Sequence, residues 1–511
     1  MKHNLLPAFL SLLFCGTLTA CTAVDAPDAA ESTATQDDSY LAEETQTPSV
    51  SAITTLTLPY TQSDPLHPYL AQSINNITIM PLLYDSLVKI APDFSLDYQI
   101  ADELTCSSNT VRVHLRDGIV FTDGSALTAT DVVYSFNKAK TSPAYQEQLS
   151  SITAASGKNQ EVVFTMNAPN ALAGYLLDFP IVKNRSAESA DTPIGSGRYS
   201  IDSSSDGILL QYNTNHFAHG SPKFTEIELE ASPSTETTEA GIKIGWYDLA
   251  YRGTAKNTMG GTGAVTQSTP VPQLLFLGIN GSNPFLSNAQ VRQALSAVID
   301  RDDLLRTIYS NNGVTTTLPI YPAMPLEGTV SAPASGVDEA NRLLDETGLT
   351  QRNSYDVRYM NGTPLTLEIL VSQSSPYQLM AANTISAMFN RCGIQVNVVS
   401  VSDAVYQSRI ASGNYTLYIG ELQQTNDCSL APFLPGGAAS YGLAQPASVQ
   451  STYQAFLSDT AAFPEFAAEF YNEMPFIPLC YRNGVLVHSK NLTRDIQPSA
   501  SDVFYNITDW Q

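Results

Sequence analysis

The stretch Val113–Phe136, VHLRDGIVFTDGSALTATDVVYSF, changes periodicity part-way along, and that change sets the fold class. Reading from Val111, apolar side chains at Val111, Val113 and Leu115 alternate with Arg112 and His114, the spacing of a strand with one buried face. Asp117-Gly118 signals a turn, and Ile119 and Phe121 resume the alternation, so a hairpin is predicted over Val111–Phe121. After a second punctuation at Thr122-Asp123-Gly124, Thr128 stands where it caps a helix and Asp131 answers three residues later. Val132, Val133 and Phe136 give that helix an apolar stripe.

The same grammar recurs further along. Phe276–Asn280 reads as a strand, Ser287 with Gln290 as a capping box, and Val291, Ala294, Leu295 and Val298 as one helical face. Leu365–Val371 reads as a strand, Tyr377–Cys392 as a helix stopped by Gly393, and Ile394–Val401 as a second strand. Strand, helix, strand is a βαβ unit with parallel strands and a right-handed crossover. The chain is therefore α/β with mixed sheets.

Composition narrows the function. With 49 acids against 25 bases the net charge is −24. Nucleic-acid binding relies on a basic surface that this chain lacks. Among 25 tyrosines and 19 phenylalanines most are expected in the core, with a minority lining a ligand cleft. The N-terminus has the parts of an export signal: Lys2, an apolar run Leu5–Phe14 too short to span a bilayer, and small residues after it. Leu18-Thr19-Ala20-Cys21 resembles a bacterial lipobox, in which the thiol is acylated and the chain is cut before it. Residues 1–20 are thus expected as a signal peptide and Cys21 as a lipid anchor on the outer face of a membrane. Thr22–Val50 carries seven acids and no Lys or Arg, which makes residues 21–50 an acidic flexible tether. The globular part starts near Ser51 and is long enough for two or three lobes.

Signals of reaction chemistry are scarce. Cys106, Cys392, Cys428 and Cys480 remain after the signal and the anchor; they admit three pairings, with buried free thiols the alternative, and no C-x-x-C suggests a metal cage. His216-Phe217-Ala218-His219 has no glutamate of an H-E-x-x-H site and runs into Gly220-Ser221-Pro222, so it reads as a loop. Phosphate-loop, dinucleotide and nucleophile-elbow motifs are missing. Gly195–Tyr199, GSGRY, reads as a turn between strands. Arg116, Gly118, Asp123 and Gly124 read as turn and cap residues, and Arg292, Asp300 and Arg301 as solvated groups or lobe-internal ion pairs. No catalytic residue, metal or cofactor is expected, and the chain is not expected to be an enzyme.

Taken in order, eight segments resemble the bacterial extracellular solute-binding proteins of family 5, the substrate-binding lipoproteins of oligopeptide, dipeptide and nickel ABC transporters. The resemblance rests on Asp64–Tyr69, Asn75–Ile90, Val113–Phe136, Pro193–Ile201, Leu209–Glu230, Gly245–Gly253, Asn283–Leu305 and Glu469–Ser489. It implies a type II periplasmic-binding-protein-like fold of two large lobes and a smaller third domain, joined by crossing strands that act as a hinge. The corresponding division is 51–88 with 190–269 and 485–511 as lobe I, 89–189 as the smaller inserted domain, and 270–484 as lobe II. Function then follows as capture of a solute by lobe closure and delivery to a membrane permease and its ATPase, by a monomer.

In peptide-binding relatives the region matching Gly420–Leu434, GELQQTNDCSLAPFL, carries an aspartate that pairs with the ligand's α-amino group. The resemblance places Thr425, Asn426 or Asp427 near that position, depending on a one-residue gap, while Glu421 and Leu422 replace the relatives' aromatic pair. Asp427 reads equally as an amine anchor or as a surface-loop residue. Tyr60 and Asn280, at strand ends, are further ligand-binding candidates, or capped strand termini. Peptide is the expected solute; a nickel chelate, a sugar, a sensor or adhesin without transport, and a carboxylate-based surface hydrolase are the alternatives.

Overall fold

A computed structural model of the chain describes residues 55–202, 207–254, 264–328, 330–492 and 495–510. The expected signal peptide, the tether and Cys21 lie outside the described residues.

Two local readings hold and two change. The helix Ala129–Ala139 begins as expected, with the Thr128 N–H and hydroxyl both donating to Asp131 Oδ2 at 2.8 and 2.7 Å. Val132 and Phe136 are buried beneath it. Strand Thr366–Ser372, helix Pro376–Asn390 and strand Gln395–Val401 form the βαβ unit, with the two strands parallel in register Thr366↔Gln395 to Ser372↔Val401.

The hairpin over Val111–Phe121 is not formed. Strand Thr110–Leu115 pairs instead with Ala101–Ser107 on one side and Glu161–Met166 on the other, both antiparallel. Asp117-Gly118 is a turn out of that sheet, with Gly118 at φ 78°, and Ile119–Phe121 folds back on Ser125–Leu127 through the Asp123-Gly124 turn. Period-two alternation marks a strand without naming its partner. Helix Ala289–Val298 is capped by Asn288, whose side chain accepts from Gln290 N, while Ser287 Oγ donates to the Pro284 carbonyl. Val291, Ala294, Leu295 and Val298 do form its buried face.

Of the two readings for Arg292 the ion pair holds, with Glu473 Oε2 3.5 Å from Nη2, and solvation does not; Arg301 is half-buried. Arg292 is 2% exposed and its guanidinium donates to the carbonyls of Leu286, Ser287, Glu473 and Met474. Arg301 donates to the Pro478 and Ser296 carbonyls and to Ser296 Oγ. Their planar forks staple helix ends to the strand Phe476–Ser489 and the turn before it.

Buried side chains fall into two large clusters. One draws on Leu56 to Leu249 and returns at Leu486 to Trp510; the other draws mainly on Leu274 to Tyr481 and takes in Ile90, Phe94, Leu172 and Tyr175. The long strand Phe476–Ser489 contributes to both, through Phe476–Tyr481 and Leu486, and pairs antiparallel with Ala264–Ile279. Their register breaks between Thr269 and Gln273, where Pro270 and Pro272 offer no N–H to the ladder, opposite Gly484.

On its other edge Ala264–Ile279 pairs antiparallel with Leu417–Gln423, which is parallel to Thr366–Ser372. Here Phe276 sits across from Gly420 and Tyr418 across from Gly278, each ring lying where a Cβ on the glycine would fall within 2.3 and 2.0 Å of it. These two glycine–aromatic pairs fix the end of Leu417–Gln423 and so aim the loop that follows.

Candidate functional site

That loop, Gln424–Ser429, leaves the carboxyl end of a strand in a parallel pair, the edge at which open α/β sheets bind ligands. It is held from several sides. Gln424 N donates to the Pro272 carbonyl at 2.9 Å, inside the register break, and its side chain bonds the Pro319 carbonyl and the Tyr481 hydroxyl. Cys428 N closes a turn on the Thr425 carbonyl at 2.8 Å, with Cys428 at φ 52°. Leu430 N donates to the Tyr453 hydroxyl oxygen at 2.9 Å. The loop is therefore a rigid platform.

Facing it is the segment Asn170–Asp178. Asn426 Nδ2 donates to Asp178 Oδ2 at 2.9 Å, and Asn170 Nδ2 donates to Asp427 Oδ2 at 2.9 Å. Asp427 Oδ1 also accepts from the Thr425 hydroxyl at 2.5 Å, and Asp178 Oδ1 from Gln148 Nε2 at 2.5 Å.

Two cavities flank these bonds. One, of about 450 Å³, is lined among others by Lys89, Tyr145, Asp178, Tyr251, Asn426 and Asp502. The second, of about 430 Å³, has Asn170, Leu176, Thr425, Asp427, Tyr453 and Leu457 in its wall. Neither lining contains an imidazole or a thiol. A larger space of about 680 Å³, beside Arg301 and Arg342, lies within residues 293–474 alone, and the Arg342 fork there is taken up by Glu339 and Glu346. Its walls all come from the stretch that also forms the larger of the two buried clusters.

The charges around the first cavity are opposed. Burial pushes the Asp178 carboxyl up to about 6, against the pull of its hydrogen bonds from Gln148, Ser501 and Asn426. Burial raises Asp427 as well, opposed by Thr425 and Asn170. Asp502 is buried too, but Lys89 Nζ and Arg198 Nη2, each 2.7 Å from its Oδ2, outweigh that burial and hold its carboxyl below the usual range. Asp178 thus meets neutral donors, whereas two cations share Asp502.

The sequence candidates divide. Thr425, Asn426 and Asp427 are brought together in the cavity walls. Glu421 lies on the strand before them and lines neither cavity. Asn280 is a strand terminus: its amide donates to the Gly413 and Tyr415 carbonyls and its oxygen accepts from Ser282 N. Tyr60 ends the strand Leu56–Tyr60 opposite Ala231, outside both linings. His216 is buried with Nε2 3.2 Å from Asp85, while His219 is exposed, so the pair does not converge. The four described cysteines are free. Asp178, Asn170, Gln148 and Lys89 were not marked by any local pattern.

Compared with known proteins, residues 66–431 match the family model described as bacterial extracellular solute-binding proteins, family 5. The chain belongs to this family. Among curated family 5 relatives, it is 23% identical to heme-binding protein A of Haemophilus influenzae over 82% of this chain and 84% of that protein. It is 22% identical to the oligopeptide-binding protein AppA of Bacillus subtilis over 62% of this chain and 63% of that one. Among solved structures, a nickel ABC transporter protein from Bacillus halodurans superposes with a TM-score of 0.74 at 16% identity, over 88% of this chain and 98% of that one. The fold is therefore the type II periplasmic-binding-protein-like one. Family 5 proteins are extracytoplasmic solute-binding partners of ABC permeases, not enzymes. Among the described residues no helix is long and apolar enough to cross a membrane.

Proposed function

We propose that this family 5 protein captures short peptides in the cleft between the loop Gln424–Ser429 and the segment Asn170–Asp178, and hands them to an ABC permease. The observation that carries this reading is the meeting of Thr425, Asn426 and Asp427 with Asn170 and Asp178 around two cavities. A carboxylate in such a cleft gives a peptide's ammonium a charge-assisted bond, and amides and tyrosines suit its backbone and side chains.

Lobe I is taken as residues 51–88, 190–269 and 485–511, lobe II as 270–484, and 89–189 as the smaller domain. The hinge lies at the register break Thr269–Gln273 opposite Gly484, where Pro270 and Pro272 offer no N–H to the ladder. A solute touching both sides biases the lobes toward closure. Residues 1–20 direct export, Cys21 carries the lipid, and residues 21–50 tether a monomer close to its permease.

Relatives named for heme and nickel set the competing reading. Cavity walls of carboxyl, amide, hydroxyl and one ammonium group, without imidazole or thiol, favour a charged organic solute over a metal complex. The test is a thermal-shift screen of the protein from residue 22 onward against peptide pools, a nickel–histidine chelate, heme and sugars. Stabilisation by peptides supports the reading; stabilisation by a chelate, heme or sugar alone overturns it.

A further inference from the structure

Gln148 and Gln423 line both cavities, so the two spaces adjoin and are parted by the side chains between them. The divider is polar. Gln148 Nε2 donates to the Leu176 carbonyl at 2.9 Å and to Asp178, and Asn426 completes it from the other side by donating to Asp178 Oδ2. Behind it, Asn170 donates to Asp427, so amide and carboxylate exchange sides between the two bonds. These bonds join positions 248 and 257 residues apart.

The two chambers differ in what they offer. The first has Lys89, Asp178 and Asp502 in its wall, with the Lys89 ammonium held by Asp502 at 2.7 Å, so its charged groups lie on the side of the divider where Asp178 faces. Each carboxylate has both oxygens engaged, Asp178 by Gln148 and Asn426 and Asp427 by Thr425 and Asn170, but Asp178 retains partial exposure whereas Asp427 is 4% exposed. The second chamber is walled by Met166, Leu176, Leu422, Leu434 and Leu457. A chain running from one to the other must part Asn426 from Asp178 and leave a half-buried carboxylate short of a donor.

We propose that Gln148, Asp178 and Asn426 form a length gate that confines the solute to the Lys89 chamber, admitting peptides of about two or three residues and excluding longer ones. This rests on the peptide reading above and sharpens it. The chamber, at about 450 Å³, lies toward the small end of ligand sites, which span roughly 300–1,000 Å³. Gln148 and Asn426 become specificity-determining residues, acting by blocking passage.

The test offers wild-type protein random-sequence peptide pools of two, three, five and seven residues and reads retained peptide by native mass spectrometry. Two- and three-residue peptides are expected at occupancies at least about tenfold above five- and seven-residue ones. The double variant Gln148→Ala, Asn426→Ala is expected to retain five-residue peptides with the preference reduced about tenfold. Equal retention of all lengths by wild type overturns the gate and leaves the peptide reading standing. Retention of no pool overturns both. If the double variant fails to melt cooperatively, the wild-type length series decides alone.

Discussion

Asn426 Nδ2 and Asp178 Oδ2 lie 2.9 Å apart, although 248 residues separate them in sequence. The bond joins a rigid loop at a sheet's carboxyl edge to a carboxylate otherwise held by neutral donors, and the burial of that carboxylate, which the bond opposes, sets its pH behaviour.

Asp178 is raised to about 6 from an ordinary 3.8, so the folded state holds its proton more tightly than the unfolded chain. Stability therefore falls as pH rises from about 4 to 6 and is flat above that, the reverse of a salt-bridged carboxylate. In urea titrations at pH 4.5 and 7.5, wild type is expected to lose stability relative to Asp178→Asn on going to the higher pH, by about 2 kcal/mol. A constant difference between the two proteins removes Asp178 as the titrating group. Asp427, raised in the same direction, is present in both and cancels.

Asp502→Asn leaves Lys89 and Arg198 buried without their shared carboxylate. A loss of about 3–5 kcal/mol is expected by chemical denaturation at pH 7. Because Asp502 is held below its ordinary range, its contribution is present at neutral pH and fades as pH falls through the acid range, so the variant and wild type converge there. Divergence on acidification contradicts the assignment.

Arg292→Lys tests whether the buried fork matters beyond its charge. An ammonium cannot span the carbonyls of Leu286, Ser287, Glu473 and Met474, so a loss of about 1–3 kcal/mol is expected from stranded acceptors. A denaturation midpoint unchanged from wild type rules out the staple.

Gly420→Ala places a Cβ 2.3 Å from the Phe276 ring, and the strand carrying the loop must shift. Destabilisation of about 1–3 kcal/mol is expected from overpacking, together with weakened solute binding, since Gln424–Ser429 starts four residues on. Unaltered binding in the variant separates the loop from the strand that aims it.

How much of this was legible in the sequence depended on distance along the chain. Helix Ala129–Ala139 and the βαβ unit were read because cap, stripe and alternation lie within a few residues. Strand Thr110–Leu115 was recognised but given the wrong partner, because pleat alternation is indifferent to what pairs with it. Arg292 read as a solvated group or an ion pair; its ion pair with Glu473 is there, but most of its acceptors are backbone carbonyls, which every residue has and no pattern marks. At the site, Thr425–Asp427 stood out through resemblance to relatives, whereas Asn170, Asp178 and Gln148 reach the loop only through folding.

The most direct measurement of the central claim is mass spectrometry of whatever solute is released when protein purified from its bacterial host is denatured. A released peptide, absent or reduced in preparations of Asp178→Asn, is the predicted result. Heme, a nickel chelate or a sugar released in stoichiometric amount, with no peptide, would contradict it.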